Sequence, residues 1–452
     1  VVSPVAPTIC EQLADYVVGL RYEDIPAAVT TKAKDHLLHL LGNALRSPGW
    51  AAADGAVRAA ATLSGSTGRC TIIGHRERAD ALDALFANSV LMSKDGLEDA
   101  VFPPGVHPGV VTQPVAWAFG EAARASGREL LVAVVAGYDV MTKLCGQVWT
   151  WTLDPPRRPN SVVAPFGGAA TASRLLGLTP RQTAFAFGHA GQTGMGIVEG
   201  SGHMWTISPL LARNGAMAAV MASAGMESSL TVVEGRYGVF ETFFRQPVPD
   251  DLLVTLGEQF ELERATIKRQ PGSLFNYVPL ELAESLVDDH GLKATDVEEV
   301  VVWLPSERAP REAEWERAAL RSDANSTSRL GSLRFRVAML LLDGCTDLAR
   351  GDAPPGPELS EVLGKIRLAF EDGHPLAYAR IEVATTSGRK VRIERDRPTP
   401  AVVDWADWLA VGGRTRLTDG QLARLLELVE HLEDVDDVGE ILACVVPAPP
   451  AG

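Results

Sequence analysis

The chain has 452 residues, a formal net charge of −15, 46% hydrophobic residues and 22% charged residues. That length exceeds one ordinary core and predicts roughly two or three domains, with the composition of a globular rather than a disordered chain. The acidic balance excludes the basic patch that nucleic-acid binding requires, but a few buried Arg or Lys can still bind an anionic substrate.

Val1–Ala6 shows no basic stretch ahead of an apolar run, so no secretory signal is read there. Apolar runs such as Val337–Leu342 are far too short to span a bilayer. Cys10, Cys70, Cys145, Cys345 and Cys444 are scattered, odd in number and free of any CxxC pair. That usage predicts reduced thiols in a cytoplasmic protein, with no metal site and no disulfide frame.

Along the chain, helices come first. Leu13, Tyr16, Val17 and Leu20 follow an amphipathic stripe, and Asp24 and Pro26 mark the start of another carried by Ala33, Leu37, Leu40, Leu41 and Ala44. Residues 165–177 and 210–226 are rich in Ala, Gly and Met, which predicts helices whose backbones approach closely in a buried centre. No boundary stands out before about residue 265. Val297–Leu304 is β-branched and ends at Pro305, and Ala379, Ile381 and Val383 alternate before a Ser387–Gly388 turn, Val391 and Ile393. Helical stretches at 278–289, 330–343 and 357–366 lie between these strands. After Pro398–Pro400 helix returns, with Thr418 and Gln421 forming a capping box ahead of Leu422, Leu425, Leu426, Val429 and Leu432. The expectation is a mainly α chain: a helical domain built from residues 1–265 and 395–452, with an α/β lid at 266–394.

The glycines Gly191, Gly194, Gly196, Gly200 and Gly202 are not a dinucleotide loop, because no strand precedes them and the spacing is wrong. Phosphate-loop, nucleophile-elbow and HExxH motifs are absent from the sequence. Lys94–Asp99 followed by Pro103–Gly109 is richer, placing carboxylates, a lysine and His107 beside a loop of Pro and Gly. Pro108 keeps His107 out of the helical region, and a helix start biases an imidazole toward its neutral form. Such a histidine can accept a proton or polarise a carbonyl. From residue types alone the plainer reading, a capping histidine beside a solvated acidic turn, carries more weight.

Longer motifs add to this. Val106–Tyr138 reads HPG, an apolar helix, ASGRELL and AGY; Phe166–Leu178 is FGGAATASRLLGL; Glu234–Phe240 is EGRYGVF; Lys268–Pro271 is KRQP; and Ser332–Gly344 ends in LLDG. In this order, with Gly200–Ala219 between them, they resemble the MmgE/PrpD family over nearly the whole chain. The resemblance implies a helical domain from both chain ends, an α/β lid, dimerisation through the helical part and cofactor-free chemistry in the cleft. Activities in that family include 2-methylcitrate dehydratase, cis-aconitate decarboxylase and iminodisuccinate epimerase, each moving a proton beside a carboxylate.

Carried over by position, His107 matches the family's active-site histidine and Lys268 its lysine leading into the lid. Asp95 and Asp99 belong to the acidic run as candidate orienting or assisting groups. The chain also departs from the pattern. The first aspartate of the acidic run falls at Gly96, with Glu98 and Asp99 taking the later pair; the histidine ahead of the run is Ser93, and the residue after it is Ala100. A further histidine aligns with Arg158, a lysine falls near Met204 between His203 and Trp205, and a tyrosine becomes Phe335 after Arg334. Arg158, His203, Met204, Trp205, Ser273, Arg334 and Phe335 are the candidate substrate contacts. Loss of positioned acids or bases costs on the order of 10²–10⁴ in rate each, so the citrate-type reactions are not expected by the family's route. Trp149, Trp151, Trp205 and Phe335 would make the cleft more aromatic. Three readings stay open: a lyase or isomerase on a small carboxylate, with His107 as acid/base and Lys268 and Arg158 as carboxylate binders; a diverged member isomerising or cyclising a larger natural-product intermediate; or a non-catalytic binding protein.

Overall fold

The computed structural model describes residues 6–65, 67–102, 104–146, 148, 153, 158–195, 204–268, 271–321, 324, 326–344, 354–399, 402–414 and 416–448. Thr8 and Glu11 close a capping box at the start of α1 (Ile9–Gly19), and Pro26 precedes α2 (Ala27–Arg46). The chain continues through α3 (Ala51–Ser64), a short antiparallel pair β1 (Cys70–Thr71) and β2 (Arg78–Ala79), and α4 (Ala81–Met92). Next come β3 (Ala100–Val101), α5 (Gly109–Ala123), α6 (Gly127–Cys145), α7 (Pro159–Leu175), α8 (Pro180–Gly191) and α9 (Met204–Ser223). The small residues on α7 and α9 act as their composition predicts. A Cβ on Gly215 would lie 2.2 Å from the Pro165 carbonyl oxygen, and one on Gly168 would lie 2.8 Å from that of Ala212. Only bare backbone allows these helices to come so close.

β4 (Ala265–Thr266) then pairs antiparallel with β3, Ala100 opposite Thr266. This two-residue ladder lays the chain leading into the smaller α+β part directly against the segment that carries Asp99. The smaller part runs through α10 (Tyr277–Asp288), β5 (Val297–Pro305), α11 (Ala309–Ala319), α12 (Ser326–Gly331), α13 (Leu333–Asp343), α14 (Pro357–Lys365), β6 (Ile366–Glu371), β7 (Ala379–Thr385) and β8 (Lys390–Arg395). Its sheet has the order β6-β5-β7-β8, with β5 and β6 parallel and the other pairs antiparallel. Alternation in β7 buries Ala379, Ile381 and Val383, which pack with Val300, Val302, Leu304, Leu333 and Val337.

Two details differ from the sequence expectation. Ile366 does not end a helix; it opens β6, because pairing with Val300–Pro305 recruits the alternating Ile366, Leu368 and Phe370. The helix expected over 330–343 is broken at Ser332, whose side chain caps the Phe335 N–H and starts α13.

The last segment returns to the helical part as α15 (Trp405–Gly413), α16 (Asp419–Glu430) and α17 (Gly439–Cys444). Thr418 and Gln421 make both bonds of the expected capping box. The larger apolar cluster unites residues from both chain ends, among them Leu13, Leu37, Leu131, Leu409, Leu425 and Ile441. The smaller cluster is confined to Val278–Val391. Cys10, Cys70, Cys145 and Cys444 are free and buried, whereas Cys345 lies outside the described residues.

The docking of the chain ends depends on small residues. A Cβ on Gly127 would sit 1.7 Å from the Leu432 carbonyl oxygen, and the Gly127 N–H donates to Val435 O at 2.8 Å. Gly127→Ala is therefore expected to destabilise the protein by about 1–3 kcal/mol through backbone displacement. Thermal or urea unfolding checks this; an unchanged midpoint would count against that tight seam.

Candidate active site

A cavity lies between the helical part and the α+β part. The helical side contributes Ser93, Gly96, Glu98, Gly105, His107 and Val110, together with Arg158, Pro159 and Asn160 at the start of α7 and Ser208 on α9. Lys268, Gly272, Ser273, Phe275, Arg311, Trp315 and Gly331 form the opposite wall. Phe102 and Phe275 meet edge to face at 4.3 Å beside it, fastening the two sides together.

His107 is held from several directions. Its backbone N–H donates to Asn160 Oδ1 at 2.8 Å, and Asn160 Nδ2 donates on to Ser208 Oγ at 3.2 Å. The imidazole Nδ1 faces the Asp99 carbonyl oxygen at 2.9 Å. A carbonyl only accepts, so Nδ1 carries the proton and Nε2 keeps its lone pair. Nε2 has no hydrogen-bond partner among the described residues. Burial, followed by the charge of Lys268, pushes the His107 pKa down to about 4, against the opposing pull of Glu98. At neutral pH the ring is an uncharged base.

Asp99 anchors this arrangement from beneath. Its carboxylate is fully buried and accepts from Gly109 N–H at 3.0 Å, His36 Nδ1 at 2.8 Å and the Tyr138 hydroxyl. Burial alone would raise its pKa, but the His36 contact and the Tyr138 hydroxyl outweigh that and hold it below the usual carboxylate range. Gly109 is required here, since a Cβ would lie 2.3 Å from Asp99 Oδ1.

Lys268 is 1% exposed, and its three ammonium donors have three acceptors. Nζ lies 2.9 Å from Gly96 O, 3.0 Å from Gly272 O and 3.5 Å from Glu98 Oε1. Its carbonyl accepts from His39 Nε2 at 3.1 Å, tying the lysine to α2. Gly96 has φ 66 and Gly272 φ 94, conformations that present both carbonyls to the ammonium. Burial lowers the Lys268 pKa, opposed by Glu98. Glu98 Oε2 is buried without a partner among the described residues, and Oε1 also lies 3.8 Å from His107 Nδ1.

Arg158 precedes α7, and its Nη1 is buried with no hydrogen-bond partner among the described residues. Burial pushes its pKa down to about 10, with Glu98 opposing the fall, so it remains charged.

Of the residues singled out in the sequence, His107, Lys268, Arg158 and Ser273 line one cavity, with Asp99 directly behind His107. Three others are placed elsewhere. Asp95 is not among the lining residues: its carboxylate pairs with Lys94 Nζ at 2.8 Å, and its φ of 59 turns the chain. Arg334 points to the far side of α13, where it donates to Ile366 O at 2.9 Å and Leu363 O at 2.7 Å. Phe335 is 3% exposed and belongs to the apolar cluster of the smaller part. Arg334 and Phe335 are adjacent on α13, and neither lines the cavity. His203 lies outside the described residues, as do the side chains of Met204 and Trp205, and Trp149 and Trp151. Arg311, Phe275, Trp315, Asn160, Ser208 and the network around Asp99 were not singled out. Asn160, two residues beyond Arg158, carried the one available signal: a polar side chain in the first turn of an apolar helix.

Among the described residues, no helix is long and apolar enough to cross a membrane, and no cluster of three or more His, Cys, Asp or Glu could hold a metal ion.

The chain is mainly helical with a smaller α+β part, and a cavity lined by His107, Lys268 and Glu98 lies between them. Residues 11–251 match the MmgE/PrpD N-terminal domain, and the chain belongs to the MmgE/PrpD family. Similar proteins include a cis-aconitate decarboxylase-like protein, oryM, of Aspergillus oryzae, 25% identical over 58% of this chain and 58% of that protein's length. Human cis-aconitate decarboxylase is 25% identical over 81% of this chain and 80% of its own length. The Aspergillus terreus cis-aconitate decarboxylase is 22% identical over 98% of this chain and 97% of its own length.

The buried histidines set a pH dependence of stability. His107 titrates at about 4 and His39 at about 3 in the folded protein, both depressed from 6.5 chiefly by burial. Between pH 6.5 and 4 the unfolded chain binds these protons and the folded chain does not, so their contribution makes stability fall as pH drops through that window. Replacing His107 by Asn is expected to flatten this slope, measured by urea unfolding at stepped pH. An unchanged slope would show that His107 is not held neutral.

Proposed function

We propose that this protein is an enzyme of the lyase type that removes a proton from carbon beside a carboxylate of a small metabolite. The carrying observation is His107: a neutral ring on the cavity wall, its Nδ1–H fixed on the Asp99 carbonyl and its Nε2 left as a base. Nε2 takes the proton, and the electron pair left on carbon spreads into the adjacent carboxylate as an enediolate-like dianion. Arg158, charged and carrying an unpartnered Nη1, is suited to hold those oxygens. The pair then expels a group from the neighbouring carbon. Return of the proton to the opposite face would give epimerisation instead. Asp99 orients His107, while Lys268 fixes Glu98 and the Gly96 and Gly272 turns. The relatives named cis-aconitate decarboxylase support a lyase.

The substrate is read as other than cis-aconitate or 2-methylcitrate. Ser93 and Gly96 both line the cavity, so the imidazole and carboxylate that the family pattern carries at those positions are missing from its wall. The helical part is also proposed as a dimerisation surface, on the family resemblance alone.

Deuterium wash-in from D₂O into a panel of small carboxylates tests the reading. Exchange or turnover is expected with one member, and His107→Gln should lower it by roughly 10²–10⁴. Unaltered exchange in that variant would remove His107 from the chemistry. Robust turnover of cis-aconitate or 2-methylcitrate would overturn the substrate reading while leaving the lyase assignment standing.

A further inference from the structure

We propose that Arg311, on α11 of the smaller part, is a substrate-binding residue that works opposite Arg158, so that a doubly anionic substrate bridges the two sides of the cavity. This rests on the carboxylate reading above and adds a residue and a charge requirement to it.

Arg311 lines the cavity and is 2% exposed. Its guanidinium lies over the Phe275 ring at 4.4 Å and toward Trp315 at 5.8 Å. Aromatic faces of this kind hold the planar group flat and leave its edge to bind. Nη2 donates to Ser273 Oγ and Nη1 to Glu312 Oε1 at 2.6 Å. That carboxylate is shared, because Arg308 also donates to Glu312 Oε1 at 2.7 Å. One carboxylate therefore serves two buried guanidiniums.

The charges around the cavity do not balance. Arg158, Lys268, Arg311 and Arg308 face Glu98, Glu312 and, behind His107, Asp99 among the described residues that line or back the cavity. The excess is one positive charge, and Arg158 and Arg311 both carry theirs to the cavity wall, where unpaired buried charge is costly. Lys268 cannot answer for a substrate carboxylate, since its three donors are directed to Gly96, Gly272 and Glu98. The groups left are the two arginines, one rooted in the helical part and one in the smaller part. Burial pushes each down to about 10, and the charge of Arg311 adds to the fall at Arg158, as expected for cations sharing one cavity. An arginine fork suits a carboxylate better than a point cation does.

Calorimetric titration of the full chain with maleate, succinate and the monocarboxylate propionate tests this without needing turnover. Wild type is expected to bind one dicarboxylate at least about 100-fold more tightly than propionate. Arg311→Gln and Arg158→Gln should each erase most of that preference, and Arg311→Lys should restore part of it. Thermal unfolding of each variant separates lost binding from lost structure. Because Arg311→Lys keeps the charge, it serves as the second variant should Arg311→Gln fold poorly. An Arg311→Gln protein that is folded and keeps the full preference overturns the assignment, while His107-dependent exchange would leave the proposed reaction intact. A wild type that binds none of these and exchanges no carboxylate overturns both.

Discussion

Everything at this site hangs on a carboxylate that no substrate would touch. Asp99 is fully buried, and its oxygens receive the first amide of α5, the imidazole of His36 and the hydroxyl of Tyr138. Its carbonyl fixes the tautomer of His107, and its neighbour Ala100 pairs with Thr266, two residues before Lys268. One residue thus sets the start of a helix, the protonation pattern of a ring and the lead into the smaller part. A buried carboxylate can do this only because each bond offsets its desolvation, and losing any one leaves a charged group short of partners.

The departures from the family pattern acquire physical meaning in this setting. Gly96 supplies a carbonyl to Lys268 at positive φ, where a side chain would also press on Gly272 N at 3.3 Å. The lysine ammonium has become a clasp between two turns and Glu98. The proposed reading leaves anion recognition to guanidiniums, which keep their charge across the physiological range even when burial lowers their pKa.

Much of the fold was legible from periodicity and punctuation. The stripes of α1 and α2, the Thr418–Gln421 cap, the β-branched run of β5 and the alternation of β7 and β8 follow from local chemistry that needs no partner to be recognised. β6 was not legible, because Ile366–Glu371 becomes a strand only by pairing with Val300–Pro305, more than sixty positions away in the chain. At the site, His107 and Lys268 could be found because Pro, Gly and motif spacing mark their surroundings. Arg311 could not. Its neighbours Arg308 and Glu312 read as an ordinary charged helix face, and only the packing of α11 against Phe275 and Ser273 turns that face inward. Arg334 shows the converse: motif position suggested the cavity, but helical phase sends it to the carbonyls at the end of α14.

The placement of the smaller part between two stretches of the larger core has a consequence for synthesis. As the chain emerges from its N-terminus, α2 and α6 are present long before Trp408 and Leu432, the groups that cover Gly42 and Gly127. The smaller apolar cluster, confined to Val278–Val391, has all its partners earlier and can consolidate first. Arg395 and Thr399 then return to Glu281 near its beginning, delivering the outgoing chain close to where the incoming one arrived. Until that return the first helices lack the cover that Trp408 and Leu432 provide, and their apolar faces stay open to other contacts.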